Sequence, residues 1–379
     1  MLRTTITTLI LLLAVSTLAA QNIEHKIVGC DTLTYQYTPI DQNYSKTSSS
    51  GRLAYKLFAG DPWAIMLLPI YTLETNFGIA FTAKYYKPKF EISPTAIASI
   101  SGYYNISVSG KNKLYHGHSL DYGAGAKSEP TRLWGLTYDS ALNSPHSKYT
   151  SKEYSAWVEY SYQPIETVTV GLFADYSYIS ARKLDTESTK KLSDTPLTTS
   201  TTSLGAHLSY DTRSNTSHTQ QQGIYTKIEA SYLPKLLSNL SNNLWSLSAT
   251  FDWYQPLWRG ATLAFDLYGK HSSKKTPWLL QCQVGGDSRM RGYYLGRFRG
   301  NTLISSQLEL RQHIWRGIGI TAWGGAGTAF SPNDSFASRK ILPTYGGGLR
   351  YYHKLFMVRA DVGFGRNSYN IILSISEAF

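Results

Sequence analysis

Apolar and polar side chains alternate along most of the chain after residue 62. In the segment 154–162, the even positions are apolar or aromatic and most odd positions are polar or charged. The segment 168–178 repeats this pattern after a short turn. A period of two residues indicates a β-strand, because successive side chains point to opposite faces. The pattern predicts about sixteen strands, which start near residues 62, 76, 95, 113, 131, 152, 167, 199, 222, 243, 260, 301, 317, 343, 357 and 369.

The polar faces of these strands carry charges of both signs, as at Glu309 and Arg311. A sandwich would bury its apolar face and solvate the polar one, whereas a membrane barrel turns the apolar face to lipid and the polar face to a wet lumen. Short turns alternate with long polar loops at about 181–198, 272–300 and 331–341. We therefore predict an all-β fold, a transmembrane antiparallel barrel over residues 61–379.

The N-terminal segment 1–20 has the features of a signal peptide. Arg3 precedes an apolar run from Leu9 to Val15, and small residues follow up to a cleavage site near Ala20. The alternative is an uncleaved anchor, for which this run is short. Residues 21–60 are polar and lack periodicity, which predicts a short periplasmic tail or plug segment rather than a folded domain.

Composition agrees with export to a membrane. The chain is 42% hydrophobic and 13% aromatic, with 29 tyrosines, whose amphipathic rings suit a lipid–water boundary. The net charge of +12 favours anionic lipid head groups or a charged lumen as its partner, rather than nucleic acid. Cys30 and Cys282 lie far apart in the sequence, and we expect two unpaired thiols.

The C-terminus adds a targeting feature. The last predicted strand places Ile371, Leu373, Ile375 and Phe379 on one face. A terminal aromatic residue after such a strand matches the signal by which barrel precursors are recognised for insertion. We interpret these four residues as a C-terminal insertion signal.

One block of sequence indicates a family. Residues 285–311 contain two glycines, then Arg291-Gly292-Tyr293, and then a strand with Glu309. This block resembles the bacterial surface-antigen (D15-like) barrels of the BamA/TamA superfamily, whose long sixth loop folds into the lumen with an Arg-Gly-Phe/Tyr tip. Weaker similarities are spread along the chain, at Asp211–Arg213 with Gly223, Leu68–Tyr71 with Glu74, Gly346–Arg350, and Arg359–Gly363.

The resemblance implies a loop-lock motif of Arg291, Gly292, Tyr293 and Glu309. An arginine in a lumen needs acceptors, and its planar fork favours a carboxylate such as Glu309. On the next strand the family usually has an aspartate that also contacts the loop arginine, and this chain has Gly325 in its place. Asp361 is the candidate additional anchor.

The resemblance also implies a function, namely aiding the insertion or translocation of proteins or other envelope components at the outer membrane. The lateral seam between the first and last strands would be the working element. Residues 21–60 are too short for a POTRA domain, so the chain resembles the short, POTRA-less branch, and periplasmic or outer-membrane partners would supply that function.

Two other functions stay open. The first is a passive channel or structural barrel without insertase activity. The second is an outer-membrane enzyme, but the sequence shows no nucleophile elbow and no phosphate loop, and His116 and His118 have no third ligand nearby. We therefore predict a non-enzyme with no catalytic residue, metal site or cofactor.

Overall fold

The computed structural model describes residues 63–72, 76–217, 220–331, 341–352, 357–375 and 377–379. The predicted signal peptide, the tail segment and Cys30 lie outside the described residues. The described strands are β1 (Trp63–Thr72), β2 (Asn76–Lys87), β3 (Phe90–Ser99), β4 (Tyr104–Lys113), β5 (His118–Leu133), β6 (Ser147–Ile165), β7 (Val168–Arg182), β8 (Thr198–Asp211), β9 (Ser214–Ser217), β10 (Gln220–Leu233), β11 (Leu244–Pro256), β12 (Ala261–Ser272), β13 (Cys282–Val284), β14 (Phe298–Gly300), β15 (Thr302–Trp315), β16 (Ile318–Phe330), β17 (Leu342–Tyr352), β18 (Met357–Gly365) and β19 (Ser368–Ile375). The helices are α1 (Tyr138–Asn143) and α2 (Thr186–Lys191), with 3-10 turns at Lys235–Leu237 and Trp278–Leu280.

Sixteen of these strands form a closed antiparallel barrel, as the alternation predicts. Each wall strand pairs with the next wall strand along the chain. The ring closes where Tyr71 of β1 lies opposite Leu373 of β19. The short β9 pairs with the start of β10, and β13 and β14 form a separate two-stranded ribbon.

The two faces of the wall have opposite character. In β7, the apolar Leu172 and Tyr176 are exposed, whereas Asp175 and Ser177 are buried. This is the reverse of a soluble sheet, because here the apolar face is the outer one and polar groups fill the inside. Among the described residues, no helix has the length and apolar character needed to cross a membrane.

The connections sort by length between the two ends of the barrel. Because consecutive strands run antiparallel, the long connections 134–146, 183–197, 234–243 and 273–301 all lie at one end, which we call the loop end. The opposite end carries short turns such as 166–167. At the loop end, two apolar clusters pack the connections together. One cluster includes Trp134, Tyr138, Tyr293, Tyr294 and Phe298, and the other includes Leu133, Tyr149, Leu192, Leu240 and Trp278.

Three strands begin earlier along the chain than the alternation predicts. We expected strands from about 95, 113 and 131, whereas β3, β4 and β5 begin at Phe90, Tyr104 and His118. The turns between them are short, so they leave little polar sequence to mark a boundary. Pro94 and Pro130 also lie inside β3 and β5, where proline usually argues against a strand.

The end of the last strand also differs from the prediction. The alternation predicts a strand that runs through Phe379, but β19 ends at Ile375. Glu377 instead contacts the inward-facing Arg350, with 2.9 Å between its Oε2 and the arginine Nε. An inward charge pair has therefore replaced continued strand geometry.

Candidate functional site

The candidate site is built around residues 285–297, which we call the tip. The ribbon of β13 and β14 closes the base of this connection, with Cys282 opposite Gly300. Cys282 is buried and its thiol donates to the Asn301 carbonyl at 3.7 Å. The chain turns at Gly285 and Gly286, whose φ angles of 111° and 112° favour glycine.

Arg291 lies at the centre of the tip and is completely buried. Its Nη2 donates to the carboxylate of Glu309 on β15, and its Nη1 donates to Oδ2 of Asp361 on β18 at 2.9 Å. Two wall strands separate β15 from β18, so one guanidinium joins strands that do not pair with each other. The structure thus brings together Arg291 and Glu309, the two charged residues of the predicted motif, with Asp361, the candidate additional anchor.

The strand β16 contributes an aromatic ring to the site, and it lacks the acid that the family usually has at the position of Gly325. The Arg291 guanidinium carbon lies 3.7 Å from the centroid of the Trp323 ring, close enough for a cation–π interaction. A Cβ at Gly325 would press into the carbonyl of Ser306 on the adjoining strand. β16 therefore offers Trp323 to the guanidinium, and Asp361 supplies the second carboxylate.

Gly292 permits the tip to approach the wall closely. A Cβ at Gly292 would overlap the backbone of Phe364, and a Cβ at Gly363 would press against the backbone of Arg291. The Gly292 amide donates to Thr344 Oγ1 at 3.3 Å, and the Ser368 hydroxyl donates to the Gly292 carbonyl. The two glycines thus let backbone contact backbone.

Tyr293 continues the contact between the tip and the wall. Its hydroxyl donates to the Pro343 carbonyl at 2.7 Å and accepts from the Arg366 amide at 2.7 Å. Burial raises the pKa of Tyr293, so the hydroxyl keeps the proton that the first of these bonds requires.

Two further contacts of the tip were missed by reasoning from the sequence. Arg289 binds Asp266 of β12 in a fork, with Nε–Oδ1 at 2.8 Å and Nη2–Oδ2 at 2.7 Å. Arg359 of β18 donates to the Asp287 carbonyl at 2.7 Å. The available signal was Asp266, an acid on the inward face of the strand just before the long loop.

The charged network extends from Glu309 toward the end of the barrel that carries the short turns. Arg311 Nε lies 2.7 Å from Glu309 Oε1, and Arg350 contacts both Asp361 and Glu377. Buried charges at such density are stable only when they are paired, because each desolvated ion costs several kcal/mol. The site is therefore a paired ionic core.

The predicted C-terminal signal divides between two environments. Ile371 lies on the outer face and Leu373 lies opposite Tyr71, while Ile375 is the last residue of β19. The Phe379 carbonyl accepts from Arg311 Nη2 at 3.0 Å. Its ring centroid lies 6.2 Å from that of Tyr254, so the terminal residue faces inward.

The remaining sequence candidates lie away from the tip. His118 stacks on Tyr162, with 4.4 Å between ring centroids, and its Nδ1 lies 2.6 Å from the Tyr160 hydroxyl. Within the described ranges, no three His, Cys, Asp or Glu side chains are grouped to hold a metal. Arg213 binds Asp211 in a fork with distances of 3.0 and 2.8 Å.

Most of the sequence matches a model of a known protein family. The model of the Omp85 superfamily domain matches residues 70–379. The chain belongs to the Omp85 superfamily. A search of curated protein sequences gave no significant match. Membership confirms the resemblance to BamA/TamA-type barrels and the bacterial outer membrane as the location. It also supports a general role in protein insertion or translocation there.

Solved structures share the fold at low sequence identity. BamA from Haemophilus ducreyi, lacking POTRA domains 1–3, superposes with a TM-score of 0.61 at 13% identity, over 83% of this chain and 70% of that one. CdiB from Acinetobacter baumannii gives 0.57 at 12%, over 83% and 59%. CdiB from Escherichia coli gives 0.55 at 12%, over 83% and 63%. This chain therefore spans less than two thirds of either CdiB.

Proposed function

We propose that this Omp85-superfamily barrel inserts or translocates envelope proteins by opening the junction between β1 and β19, which we call the seam. The observation that carries the proposal is the pairing at this junction. β1 pairs with β2 along all ten of its residues, and β19 pairs with β18 along all eight. Across the seam, the described residues contribute the single pair Tyr71 and Leu373.

The register explains why the described part of the seam is lightly paired. Continuing it toward the C-terminus would set Glu377 opposite Leu67 and Phe379 opposite Ile65. Glu377 and Phe379 instead contact the inward-facing Arg350 and Arg311. The N-terminal part of β1 is thus an edge, which an incoming strand can extend by β-augmentation.

The tip would act as a fixed support for this opening. Its ionic contacts hold β12, β15 and β18, which lie on the β19 side of the seam. The apolar clusters at the loop end argue against a wide open pore, the alternative function. Assembly partners in the periplasm or the outer membrane would deliver clients, and the proposal assigns no catalytic chemistry to the barrel.

A disulfide across the seam tests the proposal. Tyr71→Cys with Leu373→Cys, in a Cys30→Ser and Cys282→Ser background, should bridge the one described pair of the seam. The matched control is Val362→Cys with Ile371→Cys, which bridges β18 to β19. Both variants would replace the native gene, and outer-membrane proteins would be quantified under oxidising and reducing conditions.

We expect the seam disulfide to deplete a subset of outer-membrane or surface proteins, and reductant to restore them. The control disulfide should leave the same proteins unchanged, because β18 and β19 already pair. An unchanged census with the seam bridged would overturn the proposal and favour a passive or structural barrel.

A further inference from the structure

The outer face of the barrel carries a basic pocket that the seam proposal does not use. It lies where β6 begins and β7 ends, and it has a volume of about 760 Å³. Its cationic residues are Lys152, Arg182 and Lys183, and its other lining residues are Tyr154, Tyr176, Tyr178 and Ser180. We propose that this pocket binds the phosphate-bearing head group of a lipid in the outer leaflet.

The strand register builds the hollow. Tyr154 lies opposite Tyr178, and Lys152 lies opposite Ser180. These residues occupy even-numbered positions, as the exposed Tyr176 does, and therefore point outward from the barrel. Ser180 is the smallest side chain on this face of the pocket and is buried, so it forms the floor between the tyrosine rings and the cations.

The end of β7 places two successive cations at one pocket. Adjacent residues of a strand normally point to opposite faces, so Arg182 and Lys183 should diverge. Lys183 has a φ of 50°, in the left-handed region that is disfavoured for a residue with a Cβ. This conformation turns the chain after Arg182 and lets both side chains line the same hollow.

The pocket carries positive charge with no carboxylate partner in the part of the chain that the structure describes. Among the described residues, no carboxylate lines the pocket and none forms an ion pair with its three cations. Lysines on the inner face are paired instead, for example Lys111 with Asp121 at 2.8 Å and Lys227 with Glu229 at 3.0 Å. Neighbouring like charges disfavour one another, so an anion bound among them is stabilised.

The arrangement suits a phosphate attached to a lipid. Arg182 lies over the floor, with its Nε 3.4 Å from Ser180 Oγ and its Nη2 3.5 Å from the Tyr178 hydroxyl. A guanidinium binds phosphate with a planar fork, and the two ammonium groups add point charges. The outward tyrosine rings of the pocket form an amphipathic surface at the membrane boundary. This surface can contact the sugars of the head group and the first carbons of the acyl chains.

The pocket lies at the loop end of the barrel, which fixes the leaflet. β6 starts after the long connection 134–146, and β7 ends before the connection 183–197. Membrane barrels carry long loops outside the cell and short turns in the periplasm. A head group at this height belongs to the outer leaflet.

Lipid retention by the full chain in nanodiscs tests the proposal. Diphosphoryl lipid A would be titrated into phosphatidylcholine discs, and bound lipid counted by native mass spectrometry. Dephosphorylated lipid A and inorganic phosphate are the comparison ligands. The variants are Lys152→Gln with Arg182→Gln, and Lys152→Gln alone in case the double variant folds poorly. The matched control is Lys87→Gln with Lys89→Gln, two exposed cations beside tyrosine rings at the opposite end.

We expect the double variant to bind diphosphoryl lipid A at least about tenfold more weakly, equivalent to one charge-assisted contact of about 1.4 kcal/mol, and the single variant to fall between it and the native chain. The control variant should bind like the native chain, and dephosphorylated lipid A should bind weakly to all of them. Equal losses in the test and control variants would overturn the proposal, since attraction would then be general. Displacement of the lipid by millimolar inorganic phosphate would also overturn it, because the pocket would then be a free-anion site.

Discussion

The wall from β15 to β18 and the seam between β1 and β19 are held by different interactions. Between β15 and β18, neighbouring strands pair along most of their lengths, and Arg291 joins β15 to β18 through two buried carboxylates. At the seam, the described residues show one paired position, and the inward turn of Glu377 removes the end of the chain from the edge of β1.

The two regions therefore differ in the free energy needed to break their interactions. A backbone hydrogen bond contributes about 0.5–1.5 kcal/mol net, so the single pair described at the seam adds only a small cost to its opening. Breaking a buried ion pair by removing one partner costs about 3–5 kcal/mol. The tip and its strands can therefore stay intact if the seam opens, as the proposed lateral release of a client requires.

Removing the central arginine should produce the largest loss of stability. Arg291→Ala removes the buried cation that joins β15 to β18, although Arg311 still contacts Glu309 and Arg350 still contacts Asp361. The expected cost is on the order of 3 kcal/mol, which lumenal water would reduce. We expect the folded band on a semi-native gel to unfold at a clearly lower temperature. Lys190→Ala is the control, because the pair Lys190–Glu187 is exposed and worth less than about 1 kcal/mol. An unchanged unfolding temperature for Arg291→Ala would remove the locking role of the tip.

The second anchor should give an intermediate effect. Asp361→Asn keeps the shape of the side chain but loses the charge that faces Arg291 and Arg350, at a cost of about 1–3 kcal/mol. Adding Gly325→Asp, which restores the acid usual in the family, should not rescue the variant, because its Cβ would press into the Ser306 carbonyl. Recovery of native heat resistance in the double variant would show that either strand can supply the carboxylate.

The alternation was sufficient to predict the wall but not the contacts inside it. It placed Glu309 and Arg311 on inward faces correctly, since parity is a local property of each strand. The alternation could not pair Asp266 with Arg289. The stagger of the strands decides which inward residues lie at the same height in the barrel, and Arg289 lies in a loop without periodicity. The resemblance, rather than the pattern, suggested Arg291 with Glu309.

A contact between charges that lie far apart in the sequence explains why the end of the last strand was predicted wrongly. Periodicity extended the last strand to Phe379, yet Glu377 lies against Arg350, a residue that no local pattern connects to the C-terminus. The displaced starts of β3–β5 have a local cause instead, since prolines and short turns blur the alternation there.

Deleting Phe379 should have the smallest effect on the folded barrel. Its ring and carbonyl contact Arg311, but that arginine keeps its bond to Glu309 at 2.7 Å. We therefore expect the unfolding temperature of the assembled fraction to stay close to that of the native chain. The predicted insertion signal acts before folding, so the amount of barrel inserted into the outer membrane should fall.

Phe379→Tyr is the matched control for this deletion, because it keeps a terminal aromatic ring and should preserve insertion. The two measurements separate a signal from a structural contact, since a signal changes yield and a contact changes heat resistance. If the deletion lowered the unfolding temperature and left the inserted amount unchanged, Phe379 would serve the ionic core rather than targeting. The end of β19 would then belong to the firmly held part of the wall, and the contrast between core and seam would weaken.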